Sequence, residues 1–171
     1  YDNDSHLKEF TATVIDSYQK ADGYFTVLDK TAFFPEGGGQ PSDTGYLDDA
    51  RVYDVRENDG IIYHYTTKQF EKGTVVTGKI DFDRRFDFMQ QHTGEHIISG
   101  IVNSLYGYNN VGFHLNETEM TMDFDGMLTR EKLLEIEALA NEVVYRNAKI
   151  NCYYPENLKD LEYRSKLDLQ S

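Results

Sequence analysis

The chain has 171 residues, 39% hydrophobic and 13% aromatic, enough for one medium domain or two small ones and too apolar for a disordered protein. Its formal net charge of −13 argues against broad, nonspecific nucleic-acid binding but allows a small basic patch. No apolar run is long enough to span a membrane, and the single cysteine, Cys152, rules out a cysteine-rich zinc site and an internal disulfide. We therefore expect a protein of the cytoplasm.

The first half of the chain predicts a small β-barrel or sandwich between residues 8 and 81. Short β-prone runs alternate with turns rich in Gly and Asp, and the turn Asn58-Asp59-Gly60 is typical of a β-hairpin. The predicted strands are Phe10–Val14, Tyr24–Leu28, Tyr46–Val55, Gly60–Tyr65 and Gly73–Ile80, with a further turn at Ala21-Asp22-Gly23.

The second half predicts an α+β arrangement. A first helix over Arg85–Tyr106 ends at Gly107, and a second helix begins after the N-cap residue Thr129. The predicted strands are Val111–Leu115, Glu119–Phe124 and Lys149–Tyr154, and the second helix packs through Leu133, Ile136, Ala140 and Val143. The change of pattern near Phe82 predicts two domains, residues 1–81 and 82–171.

Two histidines on the first predicted helix form a candidate metal site. His92 and His96 are four residues apart, so both rings lie on one helix face and can reach one ion. Ile97, Ile101 and Leu105 form an apolar stripe on the other side, so the histidine face is expected to look into a polar cleft. Two histidines complete no zinc site, and the pattern also occurs on solvated helix faces.

The segment His92-Thr93-Gly94-Glu95-His96 also matches the His-x-x-Glu-His pattern of inverted zinc peptidases, in which the glutamate is the general base. That interpretation requires a distant third ligand and leaves the glycine-rich loop unexplained. The histidine pair by itself does not separate the two interpretations.

The segment from Thr31 to Gly45 contains Pro35-Glu36-Gly37-Gly38-Gly39-Gln40-Pro41. Consecutive glycines permit positive φ angles and close backbone approach to a ligand. No lysine follows as in a phosphate-binding loop, and a mobile turn is the alternative. Flanking Phe33 and Phe34, with the two prolines, favour a shaped binding loop.

Together these segments resemble the editing domain of alanyl-tRNA synthetase and the free-standing AlaX proteins. The matching pieces are Thr31–Gly45, Arg84–Ser99, Gly112–Leu115 and Ile136–Val143, in one consistent order over nearly the whole chain. The resemblance implies a small N-terminal β-barrel followed by an α+β editing core that carries the His-x-x-x-His helix.

The resemblance also implies a function. It implies a zinc-dependent hydrolase that removes serine or glycine from mischarged alanine-accepting tRNA, with His92 and His96 as metal ligands. It puts Thr93 and Gln40 in catalytic positions, and Gly38, Gly39, Gln40 and Thr93 next to the aminoacyl group. We expect His114 to be structural.

One departure from the family pattern concerns the metal. The family completes its zinc site with a downstream Cys-x-x-x-His, whereas Cys152 is followed by Tyr153-Tyr154-Pro155-Glu156 and no histidine follows His114. Two of four expected zinc ligands are therefore present, and we expect this chain alone to bind zinc weakly. The alternative is an inactive tRNA-binding or structural fragment of a synthetase-like protein, with a modest basic patch made of Lys79, Arg84, Arg85, Arg146 and Lys149.

Overall fold

The computed structural model describes residues 4–20 and 23–151. Within them, six antiparallel strands close into a barrel in the order β1-β2-β5-β4-β3-β6, and a second unit holds two helices and a two-stranded sheet. This confirms the predicted α+β class with an N-terminal barrel. The elements are β1 (Glu9–Lys20), β2 (Gly23–Leu28), β3 (Gly45–Leu47), β4 (Ala50–Asn58), β5 (Ile61–Thr66), β6 (Val75–Ile80), α1 (Phe82–Tyr106), β7 (Asn110–Leu115), β8 (Met120–Phe124) and α2 (Arg130–Tyr145).

The barrel closes because β1 is long enough to pair with two neighbours. Its first half pairs with β6 and its second half with β2, and the register shifts between Val14 and Asp16 where the strand changes partner. The strand β4 has a similar shift between Val52 and Asp54. Such bulges bend a strand and increase its twist, which allows a small sheet to close.

Most predicted strands are confirmed, but the single strand expected over Tyr46–Val55 is wrong. It divides into β3 and β4 at a tight turn in which Asp48 has a φ of 49°. Aspartate is among the few residues that tolerate this left-handed conformation, so the chain reverses there without a glycine. The predicted turn at Ala21-Asp22 lies outside the described residues.

The core of the barrel consists of alternating inward-facing residues. Ten buried hydrophobic side chains form one cluster, with Phe33 fully buried at its centre between the rings of Phe10 and His64. Phe33 begins the glycine-rich loop, so its burial anchors that loop in the barrel. Burying a phenylalanine side chain stabilises a fold by about 1.5–3 kcal/mol.

The first helix ends and the second begins where the sequence predicts, although α1 begins three residues earlier than expected. Gly107 has a φ of 70° and its N–H donates to the Asn103 carbonyl, and the Thr129 side chain accepts a hydrogen bond from the Lys132 N–H. On the predicted packing face of α2, Ile136 is buried as expected, whereas Leu133 is 51% exposed. The predicted strand Lys149–Tyr154 has no strand assignment at residues 149–151, and its remainder lies outside the described residues, as does Cys152.

The apolar stripe predicted for α1 is only partly buried, with Ile97 and Ile101 half-buried. Leu105 is 44% exposed, whereas the buried residues of α1 are Arg85, Phe88, Glu95 and Val102. These four positions lie within about 100° around the helix axis, on the same side as His92. The polar residues of this face are buried because partners on other elements satisfy them.

Neither described helix is both long and apolar enough to cross a membrane.

Candidate metal-binding site

The glycine-rich loop is a short hairpin with a rigid base. Its tip closes through two backbone hydrogen bonds between Gly37 and Gln40, with N···O distances of 3.1 and 2.9 Å. Gly38 and Gly39 have φ angles of 60° and 85°, as a type I′ turn requires. At the base, the Phe34 N–H donates to the Asp43 carboxylate at 2.6 Å, and the Asp43 N–H donates to the Phe34 carbonyl at 2.9 Å. Hydrogen bonds therefore close this turn at its tip and at its base.

Gly39 brings the loop against the second unit. A Cβ added at this position would lie 2.7 Å from Phe113 Cδ1 and 2.9 Å from the Phe113 carbonyl oxygen. Only a glycine permits this distance, because real Cβ atoms do not approach backbone atoms so closely. The loop therefore packs directly on β7.

A buried ion pair joins the same loop to α1. Arg85 and Asp43 are 2% and 1% exposed, and the Arg85 Nε donates to both Asp43 oxygens at 2.8 and 3.0 Å. The guanidinium also donates to the carbonyls of Ala32 and Ser5, at 2.7 and 2.9 Å. The expectation that Arg85 contributes to a basic surface patch is therefore wrong, since its charge is enclosed and neutralised inside the protein.

His92 is the point where the loop and α1 meet. Its Nδ1 lies 3.0 Å from Gln40 Oε1, and Gln40 is only 5% exposed. An amide oxygen can only accept, so His92 donates from Nδ1 and keeps the Nε2 lone pair for another partner. The loop and the histidine helix therefore meet at this hydrogen bond. Desolvation lowers the pKa of His92, neighbouring His96 lowers it further, and Glu95 opposes the shift, so the ring is neutral and able to bind a metal at neutral pH.

The two histidines stack side by side. Their ring centroids are 5.1 Å apart with an angle of 17° between the planes, and the Phe113 ring lies 5.3 Å from His92. His92 is half-buried, whereas the side chain of His96 is 72% exposed. His92 is thus held against the loop, and His96 faces solvent.

Glu95, which would be the general base in the alternative peptidase interpretation, belongs to the same cluster. It is 4% exposed, and a ligand atom from each of His92, Glu95 and His96 lies within 4.8 Å of the others. Two imidazoles and a carboxylate are donors that zinc accepts, so the residues present suit the metal that the family resemblance implies. No sequence pattern points to Asn110, whose side-chain amide donates to Glu95 from β7 at 2.7 Å.

The remaining predicted site residues lie around this cluster. Gly38 is close to His92, because a Cβ added there would be 3.7 Å from its Cε1. Thr93 is half-buried on α1 directly after His92. His114 does not join the metal cluster but lines a cavity of about 260 Å³ with Glu36, Gly39, Gln40, Pro41 and Leu115.

Comparisons with known proteins find similarity to tRNA synthetases and to alanyl-tRNA editing proteins. The family model for class II (A) tRNA synthetases matches residues 6–84. The alanyl-tRNA editing protein AlaX-M of Methanosarcina mazei is 36% identical over 185 residues, 96% of this chain and 70% of that protein. The alanine–tRNA ligase of Ignicoccus hospitalis is 36% identical over 172 residues, and the editing protein Aarsd1 of Bos taurus is 34% identical over 172 residues.

Sequence similarity over most of the chain thus joins it both to alanine–tRNA ligases and to alanyl-tRNA editing proteins. The chain belongs to the family that comprises the AlaX and Aarsd1 alanyl-tRNA editing proteins and the corresponding part of alanine–tRNA ligases. The match to the Ignicoccus ligase includes 95% of this chain but only 19% of the ligase. The match to the bovine editing protein spans 37% of that protein.

Proposed function

We propose that this chain is part of a zinc-dependent hydrolase that removes serine or glycine from mischarged alanine-accepting tRNA in the cytoplasm. The observation that carries the proposal is the hydrogen bond between His92 and Gln40. It brings a metal-binding residue type and the glycine-rich loop to one place, as a deacylase with a metal beside the aminoacyl group requires. Relatives named as alanyl-tRNA editing proteins support the same substrate class.

In this proposal His92 and His96 hold the metal. A bound zinc ion would polarise the ester carbonyl or lower the pKa of a water. Gln40 keeps His92 oriented through its amide oxygen, and the turn at Gly38 and Gly39 lies against the same ring and β7. Losing a hydrogen bond to the ring nitrogen of a ligand histidine that does not bind the metal typically weakens metal affinity 10- to 100-fold.

Thr93 is proposed to select the amino acid. It lies half-buried on α1 beside His92, and within the described residues its hydroxyl has no hydrogen-bond partner. A serine ester would supply a hydroxyl partner, and an alanine ester would not. Leaving such a group unpaired costs about 1–3 kcal/mol, which amounts to roughly a tenfold or greater preference.

The test is a deacylation assay with the full-length protein and zinc on alanine-accepting tRNA charged with serine, glycine or alanine. We expect loss of serine or glycine and survival of the alanine ester. His92→Ala should abolish both metal binding and turnover, whereas Thr93→Val should reduce the preference for serine over alanine and leave the zinc content unchanged. If all three esters survive, the proposal of an enzyme is wrong and the alternative of a tRNA-binding module takes its place.

A further inference from the structure

We propose that Phe82 and Phe86 form a stacking platform for the single-stranded acceptor end of tRNA, on the same face of α1 as the candidate metal site. This rests on the proposed function for the kind of substrate, because the RNA end that carries the amino acid must approach His92 and His96. The starting observation is that the two phenylalanine rings stack on each other, with centroids 5.9 Å apart and an angle of 22° between their planes.

The rings of this platform are accessible although they are large and apolar. Phe86 is 41% exposed and Phe82 is half-buried, and the ring of His6, itself exposed, lies 6.4 Å from each of them. The segment that carries His6 is fixed against α1, because Arg85 donates to the Ser5 carbonyl at 2.9 Å. Exposed aromatic rings on a fixed backbone are the kind of surface on which single-stranded nucleic acids stack their bases, since every base has a π-face.

Two lysines lie beside the platform and supply positive charge. The Lys8 Nζ lies 4.3 Å from the centre of the Phe82 ring, and Lys8, Lys79 and that ring line one cavity of about 550 Å³. In the part of the chain that the structure describes, neither lysine has a carboxylate oxygen within 4.0 Å. Their charges are therefore available to the phosphates of a strand whose bases stack on the rings.

The same cavity has no net charge, whereas the chain as a whole carries −13. Three acidic and three basic residues line it: Glu9, Asp81, Asp83, Lys8, Lys79 and Arg84. Asp81 is paired with Arg51, which lies outside this group. An RNA strand at this place thus avoids most of the repulsion that the acidic chain would otherwise exert on phosphates.

The platform and the metal site are aligned along α1. At about 100° per residue, Phe82, Phe86, Thr93 and His96 lie within about 80° around the helix axis. A rise of about 1.5 Å per residue separates Phe86 from Thr93 by about 10 Å along the axis. Stacked nucleotides of one strand follow each other at about 3.4 Å. A strand whose terminal ester lies at the histidine pair therefore reaches the platform with a base about two or three nucleotides before its end.

The first test measures stacking directly, with the full chain and an uncharged RNA hairpin that copies the acceptor end of alanine-accepting tRNA. A fluorescent purine analogue, whose emission is quenched by stacking, replaces each of the three bases before the terminal nucleotide in turn. We expect quenching on binding at one or more of these positions. Phe86→Leu keeps an apolar side chain but removes the ring, so it should abolish the quenching and weaken binding about 10-fold.

The matched control is Tyr145→Leu, which removes a ring that is 84% exposed at the end of α2 and should change neither quantity. Rings that serve only to hold the N-terminal segment against α1 would give a different result. Phe86→Leu would then lower stability in urea and leave both the fluorescence and the affinity for RNA unchanged. That result, or no quenching at any of the three positions, would overturn the platform.

A second test addresses the positive charge through the salt dependence of RNA binding. Lys79→Gln should reduce the slope of log affinity against log salt concentration by about 0.7, the value for one phosphate contact to a single strand. Lys72→Gln removes an exposed lysine that precedes the other end of β6, so it should leave the slope unchanged. Equal slopes for the two variants would contradict a contact between Lys79 and the RNA.

Both tests use uncharged RNA without zinc, so the platform and the enzyme proposal fail separately. A chain that deacylates tRNA but shows neither effect would overturn only the platform. A chain that shows both effects but spares every ester would keep the platform and refute the enzyme.

Discussion

Two glycines of the loop matter because they lack a Cβ atom. Gly38 and Gly39 both occupy left-handed backbone conformations, yet their surroundings differ. A Cβ at Gly38 would make ordinary contact with His92, whereas one at Gly39 would overlap Phe113. Two adjacent glycines of the same turn thus have different roles.

This difference predicts unequal effects of alanine at the two positions. Gly38→Ala pays only the left-handed backbone cost of about 1–2 kcal/mol. Gly39→Ala adds overlap with a backbone oxygen, so we expect a further loss of about 1–3 kcal/mol in the free energy of unfolding. Urea denaturation measures both variants, and the NMR signal of the His92 ring should move in Gly39→Ala because the loop is displaced. Equal stabilities for the two variants would contradict the tight packing on β7.

At the scale of elements, the contact between the loop and α1 depends on the pair Asp43–Arg85. Asp43 binds the loop base through the Phe34 N–H, and Arg85 binds two carbonyls of the N-terminal half. The pair therefore sets the position of the first turn of α1 relative to the barrel. The histidine site follows two turns later on the same rigid helix, at about 1.5 Å per residue.

Breaking this pair should destabilise the fold strongly. Asp43→Asn leaves the buried guanidinium without its counter-charge, which costs about 3–5 kcal/mol when one partner of a buried pair is removed. The control is Glu142→Gln, which removes one member of an exposed ion pair with Arg146 on α2 and should change stability little. Chemical denaturation of both variants is the measurement. A small effect of Asp43→Asn would mean that water or another acid stabilises the Arg85 guanidinium in place of Asp43.

Combining Asp43→Leu with Arg85→Met offers a second check on the same contact. Replacing both members of a buried pair with apolar residues of similar size is often neutral. We expect the double variant to be more stable than Asp43→Asn, because no unpaired charge remains in the interior. The opposite order would show that the hydrogen bonds from Arg85 to Ser5 and Ala32, rather than its charge, hold the two units together.

At the scale of the whole molecule, the barrel contains a fully buried histidine, His64, whose role is structural. Its Nδ1 donates to the Thr26 carbonyl at 2.9 Å, and its Nε2 lies 2.8 Å from the Thr31 hydroxyl, which also accepts the Phe33 N–H at 3.0 Å. Burial lowers the pKa of His64 to about 4. This ring links the barrel core to the start of the glycine-rich loop.

The lowered pKa predicts that stability decreases in mild acid. The unfolded chain binds a proton at His64 below about pH 6.5, whereas the folded chain does so only near pH 4. The free energy of unfolding is therefore unaffected by His64 above pH 6.5 and decreases as the pH falls below this value. Near pH 4 the loss amounts to about 3 kcal/mol. Urea denaturation at several pH values measures the slope.

The matched variant is His64→Asn, which keeps a donor for the Thr26 carbonyl but does not titrate. It should be less stable at pH 7 and should show a flatter dependence on pH between 6.5 and 4 than the parent chain. The comparison also separates His64 from the many carboxylates, since both proteins carry the same 30 acidic residues. Parallel slopes for the two proteins would remove His64 as the cause.

Features that depend on local chemistry could be predicted from the sequence. Short β-prone runs between turns rich in Gly and Asp predicted most of the strands, Gly107 predicted the end of α1, and Thr129 predicted the beginning of α2. The spacing of His92 and His96 predicted two rings on one helix face. Each of these follows from backbone conformation over a few neighbouring residues, which a single sequence reveals.

Which polar residues are buried could not be predicted from the sequence, because it depends on contacts between distant segments. Arg85 and Glu95 read as surface residues in the sequence, because charged side chains are seldom enclosed without partners. Their partners, Asp43 and Asn110, lie 42 and 15 residues away along the chain. Burial of a charge depends on such distant donors and acceptors coming together. The buried face of α1 therefore could not be predicted without knowing that the barrel and β7 pack against it.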